Sequence, residues 1–222
     1  TVSMTAVNDA AVVTTTGSTL SYDENDPATA VDSGLTVSDV DNTNLTGATV
    51  SITSGFATGE DVLAFSNQLG ISGSYDSDTG VLTLTGTTTV ANYQTALRTV
   101  TYQNTSDAPD TTTRTVSFVA DDGTDLSVAA TRDIDITAIN DNPTGAGSLT
   151  TTSLDDNAGA TALFGGLTVA DVDAGETDLS VTITLTDNTA GTISGGGFTE
   201  TGIGTGVYTA TGLTVAQANT AL

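Results

Sequence analysis

The sequence predicts an all-β fold made of tandem antiparallel β-sandwich domains, each with one short helix. Two observations carry this prediction. Apolar residues alternate with a period of two in many short segments separated by clusters of Gly, Asn, Asp and Ser, which is typical of half-buried strands joined by turns. The chain also repeats itself, because "GLTVSDVDN" at 34–42 returns as "GLTVADVDA" at 166–174, an offset of 132 residues.

The strands are expected in the following order. A first strand, about 11–22, runs from one end of the domain, here called the top, to the other end, called the bottom, and a second strand, about 30–37, returns to the top. A final strand covers 126–138. Period-two alternation marks strands at Val50/Ile52, Leu82/Leu84, Val100/Tyr102, Val116/Phe118, Ile134/Ile136 and Val181/Ile183/Leu185.

A helical signal interrupts the strands once in each repeat. Apolar residues in "TVANYQTAL" fall three and seven positions apart, which places them on one face of a helix, and Thr88 or Thr89 is a suitable N-cap. The residues at this spacing are Val90, Tyr93 and Leu97, repeated as Val215, Ala218 and Leu222.

The acidic run "DSDTG" at 76–80 lies between a strand that ends at Tyr75 and one that begins at Val81. We interpret it as a hairpin turn. Its likeness to the Asp-Thr-Gly of aspartic proteases is discounted, because the chain has no second Asp-Thr-Gly to form a catalytic pair.

The repeat defines the domain organisation. At the offset of 132, Val2 aligns with Ile134 and Met4 with Ile136, and a unit of about 130 residues has the size of a whole domain. We expect 1–9 to be the last strand of a preceding repeat, 10–141 a complete repeat and 142–222 an incomplete second repeat. Because an isolated half-sandwich exposes apolar faces, we expect the natural protein to continue past 222, or another chain to complete the second repeat.

The composition excludes most catalytic chemistry. The chain has no Cys, His, Trp or Lys, so it cannot form a thiol nucleophile, a Ser-His-Asp triad, a Cys/His zinc site or a Schiff base. Paired carboxylates could serve carbohydrate binding or hydrolysis. With 5% aromatic residues and no aromatic platform this class is discounted, and we expect the protein not to be an enzyme.

The net charge indicates which kinds of partner the chain can bind. The chain carries 27 acidic residues against three arginines, a formal net charge of −24, which excludes binding to nucleic acid or to an anionic membrane surface. No apolar run approaches the roughly 20 residues of a membrane helix, so no membrane insertion is expected. Divalent cations are the expected partners.

The predicted strand directions gather acidic residues at both ends of the complete repeat. The first strand delivers Glu24 to the bottom, the second delivers Asp39 and Asp41 to the top, and the bottom of one repeat is expected to abut the top of the next. The first junction therefore gathers Asn8, Asp9, Asp39, Asp41 and Asp121 or Asp122, and the second gathers Glu24, Asn140, Asp141, Asn142, Asp171 and Asp173.

Carboxylates that converge on a linker repel one another unless a cation holds them. Ca²⁺ takes about six to eight oxygen ligands from Asp, Glu, Asn and carbonyl groups. We therefore predict Ca²⁺ at each junction. The acidic turn recurs because each junction needs its own ligands.

The runs "VSFVADDGTDLS" and "RDIDITAINDNP", with an Asp-x-Asp about thirty residues beyond each linker, resemble cadherin repeats. The Thr/Asp/Gly-rich composition and the "VNDA" ending are closer still to the cadherin-like tandem repeats of giant secreted bacterial surface proteins and adhesins. The resemblance implies Greek-key, immunoglobulin-like sandwiches with calcium between domains. It departs from the family where Ala138 replaces the first linker Asp, where "NDA" at 8–10 lacks the last Asn, and where the mid-domain Asp-Arg-Glu motif has no counterpart.

The expected function is a calcium-stiffened spacer or stalk segment of a large, repetitive surface adhesin, located outside the cell. The alternative is a subunit of a surface layer, sheath or filament assembled by strand addition, in which strand 1–7 of one chain pairs with the incomplete repeat of another. Neighbouring repeats and other copies of the chain would then be partners, in addition to calcium ions.

Overall fold

The computed structural model describes residues 7–147, 159, 161–162, 164–173, 175, 177–189 and 191–222. The chain divides into Thr1–Ile139, called unit 1, and Asn140–Leu222, called unit 2. Most of the predicted strand 1–9 lies outside the described residues, as does the segment 155–157, which the repeat aligns with Asp23, Glu24 and Asn25. The assignment of 1–9 to a preceding repeat therefore stays a prediction.

Unit 1 consists of short strands and one helix, and the strands form three sheets. The sheet orders are β1-β4, β2-β11-β10-β5-β8-β7 and β3-β9-β6. The all-β fold class is confirmed, whereas the Greek-key connection stays a prediction. The elements are β1 (Val12–Thr14), β2 (Leu20–Asp23), β3 (Thr29–Ala30), β4 (Thr36–Ser38), β5 (Asn44–Ser54), β6 (Asp61–Ala64), β7 (Ser72–Asp76), β8 (Val81–Thr89), α1 (Val90–Leu97), β9 (Thr101–Asn104), β10 (Arg114–Asp121) and β11 (Ala130–Thr137).

One apolar core holds the three sheets of unit 1 together. Val37 from the two-stranded sheet, Phe118 from the six-stranded sheet and Tyr102 from the three-stranded sheet are buried in the same cluster. Tyr22 and Tyr102 pack edge to face, with ring centroids 5.2 Å apart. Period-two alternation buries one side of β1, β4, β8 and β11, as expected of a sandwich.

Two predicted strands are each split in two. In place of one strand at 11–22, β1 pairs with β4 while β2 pairs with β11. The strand expected at 30–37 is likewise divided into β3 and β4, and the final strand begins at Ala130. Because β2 runs parallel to β11, the prediction of a purely antiparallel domain was wrong at this pair.

A buried aspartate explains the breaks. Asp32 is fully buried, and its carboxylate accepts hydrogen bonds from the Thr16 amide at 2.8 Å, the Thr16 hydroxyl at 3.1 Å and the Gly34 amide at 3.0 Å. It also pairs with Arg132 at 2.9 Å. These bonds satisfy backbone groups that a continuous strand would give to its neighbours, so the chain changes sheets here.

The predicted turn and helices are confirmed. Asp76 pairs with Val81 across the hairpin turn. The hydroxyl of Thr89 caps α1 by accepting from the Asn92 amide at 3.2 Å, and Thr214 caps α2 (Val215–Ala221). Neither helix of the described residues has the length and hydropathy needed to cross a membrane.

Unit 2 repeats the register of unit 1. Thr144 pairs with Ala170, 132 residues after the pairing of Val12 with Ser38. Its sheets have the orders β12-β13 and β14-β16-β15. In addition to α2, the elements are β12 (Thr144–Gly147), β13 (Leu167–Ala170), β14 (Leu179–Thr184), β15 (Thr199–Glu200) and β16 (Val207–Leu213).

The contact between helix and sheet is also duplicated. The side chain of Gln94 on α1 accepts a hydrogen bond from the Val37 amide at 3.0 Å. On α2, the Asn219 side chain accepts one from the Val169 amide at 2.7 Å. The two units therefore share the same hydrogen bond between the helix and the neighbouring strand.

Candidate metal centres

Three loops meet at the top of unit 1, and predicted ligands join them. The loops precede β1, connect β4 to β5, and connect β10 to β11. The Asp9 amide donates to Asp41 Oδ2 at 3.1 Å, and Asn8 Nδ2 donates to Asp122 Oδ2 at 3.0 Å. Residues that are far apart in the sequence are thus brought together here.

Asp39 shapes the loop between β4 and β5. Its Oδ1 accepts from the amides of Asp41 at 3.1 Å and Asn42 at 2.7 Å, as an aspartate does at the start of a tight turn. Its Oδ2 is buried and has no hydrogen-bond partner among the described residues. Because a buried carboxylate oxygen without a partner costs free energy, this atom is suited to a cation.

Asp122 is held as a carboxylate by donors around it. Its Oδ1 accepts from the amides of Thr124 at 2.7 Å and Asp125 at 2.8 Å. The Asn8 side chain, followed by these two amides, holds the pKa of Asp122 below its ordinary value. Asp121 instead accepts from the Gly123 amide at 2.8 Å, so Asp122 is the one of the two predicted acids that contacts Asn8.

Two residues at this end were not predicted as ligands from the sequence. Asn42 Nδ2 donates to Asn8 Oδ1 at 2.8 Å, and Asn8 Nδ2 donates to Asp125 Oδ2 at 3.0 Å. Asn42 directly follows Asp41 in "DVDN", and Asp125 follows Asp122 by three residues in "DDGTD", so one turn brings each close to a predicted ligand. We call the whole set the top cluster: Asn8, Asp9, Asp39, Asp41, Asn42, Asp122 and Asp125.

No basic side chain neutralises the top cluster. The three arginines are the only basic side chains of the sequence, and all three bind elsewhere. Arg98 donates to the Leu35 carbonyl at 2.6 Å, while Arg114 and Arg132 pair with buried aspartates at 2.9 Å. The carboxylates of the top cluster therefore repel one another with no compensating charge from the protein.

Glu24 lies at the bottom of unit 1, beside the end of β11. It is 5% exposed, and its Oε2 accepts from the Ile139 amide at 2.8 Å. Its Oε1 is buried without a hydrogen-bond partner among the described residues. Carboxylate oxygens of Glu24 and Asp107 lie within 4.8 Å of each other, a separation that one metal ion can bridge.

Asp107 was not predicted from the sequence. It lies in the loop between β9 and β10, 83 residues from Glu24, and in the sequence it adjoins no other acidic residue. The tertiary fold alone brings the two together.

Unit 2 repeats two hydrogen bonds that backbone amides donate to carboxylates in the top cluster. The Asp141 amide donates to Asp173 Oδ2 at 2.6 Å, and the Asp173 amide donates to Asp171 Oδ1 at 3.0 Å. The equivalent bonds in unit 1 run from Asp9 to Asp41 and from Asp41 to Asp39. The recurrence of the acidic turn thus reproduces a geometry as well as a charge.

The three linker residues of unit 2 differ in their surroundings. Asp141 Oδ2 is buried and has no hydrogen-bond partner among the described residues. Asn140 is exposed, and its side chain donates to the Asp141 carbonyl at 2.8 Å, whereas Asn142 is exposed beyond it. Of the three, Asp141 has the atom best suited to a cation.

Unsatisfied buried atoms single out the predicted ligands. Among the described residues, five buried side-chain nitrogen or oxygen atoms lack a hydrogen-bond partner. Two belong to arginines, and the other three are carboxylate oxygens of Glu24, Asp39 and Asp141. All three residues are ligands that the sequence predicts at a junction.

Comparison with known proteins shows a partial similarity. No family model matches the sequence. A stretch of 113 residues is 46% identical to Halomucin of Haloquadratum walsbyi (strain DSM 16790 / HBSQ001). The match covers 49% of this chain and 1% of Halomucin, so about half of this chain is similar to a small part of a far longer protein.

Proposed function

We propose that the chain is a calcium-stiffened spacer segment of a large extracellular surface protein, with Ca²⁺ bound where successive units join. The observation that carries the proposal is that, in the part of the chain that the structure describes, the buried carboxylate oxygens without partners belong to the predicted ligands Glu24, Asp39 and Asp141. A buried anionic oxygen is costly unless it is paired or coordinates a metal. Calcium supplies that interaction and prefers oxygen ligands.

The top cluster offers ligands of one chemical type. Its carboxylates and side-chain amides present oxygen, and the sequence has no Cys or His to favour a softer metal. The carboxylates of Asp39 and Asp41 accept hydrogen bonds from backbone amides, and these bonds order the loop around the proposed ion. Calcium tolerates the irregular arrangement of ligands that three separate loops provide better than magnesium does.

The bottom of unit 1 supports a second ion. Glu24 and Asp107 provide two carboxylates, and Glu24 also binds the amide of Ile139, the last residue of unit 1. Asp141 follows Ile139 by two residues, a span of at most about 7 Å. We propose that Asp141 completes this site and that the bound ion fixes the linker.

The mechanical consequence follows from charge. Without a cation, acidic residues on both sides of a linker repel one another, and the linker is free to bend. With calcium, the same residues become shared ligands and the joint is locked. The similarity of about half of this chain to a small part of the far longer Halomucin supports a spacer role outside the cell.

Calorimetric titration of Ca²⁺ into the 222-residue chain tests the proposal. The test variant is Asp39→Asn with Asp41→Asn, and the matched control is Asp76→Asn with Asp78→Asn, which removes the same charge at the same spacing from the hairpin turn. We expect the control variant to bind Ca²⁺ like the wild type. The test variant should bind Ca²⁺ at least on the order of tenfold more weakly, because charged ligands set calcium affinity. Equal binding by both variants would refute the assignment of the top cluster. No binding by the wild type would refute the calcium proposal.

A further inference from the structure

Glu24 and Asp107 lie on two loops that meet at the bottom of unit 1. Glu24 begins the loop 24–28 between β2 and β3, and Asp107 lies in the loop 105–113 between β9 and β10. One ion can bind both carboxylates only while the loops hold them close together, as they do here, with carboxylate oxygens within 4.8 Å of each other. Residues that fix the two loops relative to each other therefore control this site.

The hydroxyl of Tyr22 connects the two loops. Tyr22 lies on β2 and is 1% exposed. Its hydroxyl donates to the carbonyl of Asp26 in the first loop at 2.6 Å, and a second acceptor, the carbonyl of Asn104 just before the second loop, lies at 3.3 Å. Burial raises the pKa of Tyr22, so the hydroxyl remains a donor at neutral pH.

The second loop is held from its first residues onward. Asn104 is 3% exposed, and its Oδ1 accepts a hydrogen bond from the Ser106 amide at 2.9 Å. Ser106 Oγ accepts in turn from the Ala108 amide at 3.2 Å. The amides on both sides of Asp107 are thus bound by side chains of the same loop and of the residue before it, which restrains the backbone at Asp107.

Both ends of the second loop also bind one buried carboxylate. Asn104 Nδ2 donates to Asp61 Oδ1 at 2.9 Å, and Arg114 Nε donates to Asp61 Oδ2 at 2.9 Å. Arg114 Nη1 donates to the carbonyls of Asp110 and Thr112 inside the loop. The second loop is therefore a fixed support, to which the Tyr22 hydroxyl ties the loop that carries Glu24.

We propose that Tyr22 is a positioning residue of the metal site at the bottom of unit 1, and that its hydroxyl holds the two loops so that Glu24 and Asp107 reach one Ca²⁺ ion. This inference rests on the proposed function, because it concerns the second ion proposed there. Without the hydroxyl, the two loops lose their shared donor, and binding must first order them, which lowers affinity. Residues that orient metal ligands from behind contribute about 10–100-fold to metal affinity.

The test variant is Tyr22→Phe, which removes the hydroxyl and keeps the ring. The matched control is Tyr93→Phe, because Tyr93 is also fully buried and its hydroxyl donates to a backbone carbonyl, that of Gly86 at 2.7 Å, where α1 meets β8. Amide hydrogen exchange of the 222-residue chain, measured by mass spectrometry at increasing Ca²⁺ concentrations, gives a binding curve for the segment 105–113 by itself.

We expect the Ca²⁺ concentration at the midpoint of that curve to rise on the order of tenfold in Tyr22→Phe and to stay unchanged in Tyr93→Phe. In chelator, exchange in both loops should be faster in Tyr22→Phe than in the wild type, whereas Tyr93→Phe should leave both loops unchanged. If the Tyr22 hydroxyl had only a structural role, both variants would lower the urea midpoint and neither would shift the Ca²⁺ midpoint. That result would overturn the proposal.

The variant Glu24→Gln separates this inference from the site on which it rests. It removes a proposed ligand and should abolish the protection of 105–113 by Ca²⁺. Protection that is absent from the wild type, or that survives in Glu24→Gln, would refute the ion site and the inference with it. Protection that requires Glu24 but has the same Ca²⁺ midpoint in the wild type and in Tyr22→Phe would overturn the role of Tyr22 alone.

Discussion

The polar centre of unit 1 depends on Asp61, and replacing it with alanine is the most demanding test of the fold. Asp61 is 2% exposed, and its carboxylate accepts four hydrogen bonds. The donors are the Tyr102 hydroxyl at 2.6 Å, Asn104 Nδ2 at 2.9 Å, Arg114 Nε at 2.9 Å and the Ala57 amide at 2.8 Å. Burial, together with Asp61, raises the pKa of Tyr102 above its ordinary value, so this hydroxyl stays a donor.

The magnitude follows from what the substitution leaves behind. Arg114 is fully buried, and in Asp61→Ala it becomes a buried charge without a counter-ion. Breaking a buried ion pair by removing one partner costs about 3–5 kcal/mol. Tyr102 and Asn104 lose their acceptor as well, so we expect the free energy of unfolding of unit 1 to fall by about 4 kcal/mol or more.

Urea unfolding followed by tyrosine fluorescence measures this loss, because four of the five tyrosines lie in unit 1. The double variant Asp61→Leu with Arg114→Met removes both charges. Replacing a buried ion pair with apolar residues is often close to neutral, so the double variant should be more stable than Asp61→Ala alone. A loss below about 1 kcal/mol in Asp61→Ala, or a double variant as unstable as the sum of its single variants, would refute this reasoning.

Further predictions concern glycine and pH. Gly86→Ala should destabilise unit 1 more than Gly17→Ala in the same urea assay, because both have positive φ but a Cβ at Gly86 would overlap the Gly70 carbonyl, whereas the space at Gly17 is open. The Gly17 change should cost about 1 kcal/mol of backbone strain. Asp122 has a lowered pKa in the folded state, so its contribution to stability is present above the unfolded value of about 4 and is lost as the pH falls through the folded value. Asn8→Ala should therefore lower the urea midpoint at pH 7, and this effect should shrink as the pH falls through the folded value.

The regular parts of the fold could be predicted from the sequence because they follow from local patterns. Alternation around Phe118 marks a buried strand, and helical spacing after Thr89 marks α1. The breaks in the first two strands could not be predicted from such patterns. They depend on Asp32, which is held by Thr16 nearby and by Arg132, 100 residues further along the chain.

The candidate sites show the same division. Asp39 and Asp41 were found because the acidic turn is repeated, and Asp122 because it follows a strand whose direction could be inferred. Asp107 was missed because its proximity to Glu24 is produced by the packing of two distant loops. The repeated acidic turn and the inferred strand directions identify ligands at the ends of predicted strands, whereas Asp107, in the loop between β9 and β10, required the tertiary structure.

Small-angle X-ray scattering of the 222-residue chain, in millimolar Ca²⁺ and then in chelator, tests the central claim most directly. If calcium locks the joint between units, the scattering in calcium should show a longer maximum dimension and a narrower range of sizes than in chelator. The Asp76→Asn, Asp78→Asn control should respond in the same way, and the Asp141→Asn variant should not. Identical scattering of the wild type in both conditions would contradict the account, because the acidic residues would then be a solvated surface with no mechanical role.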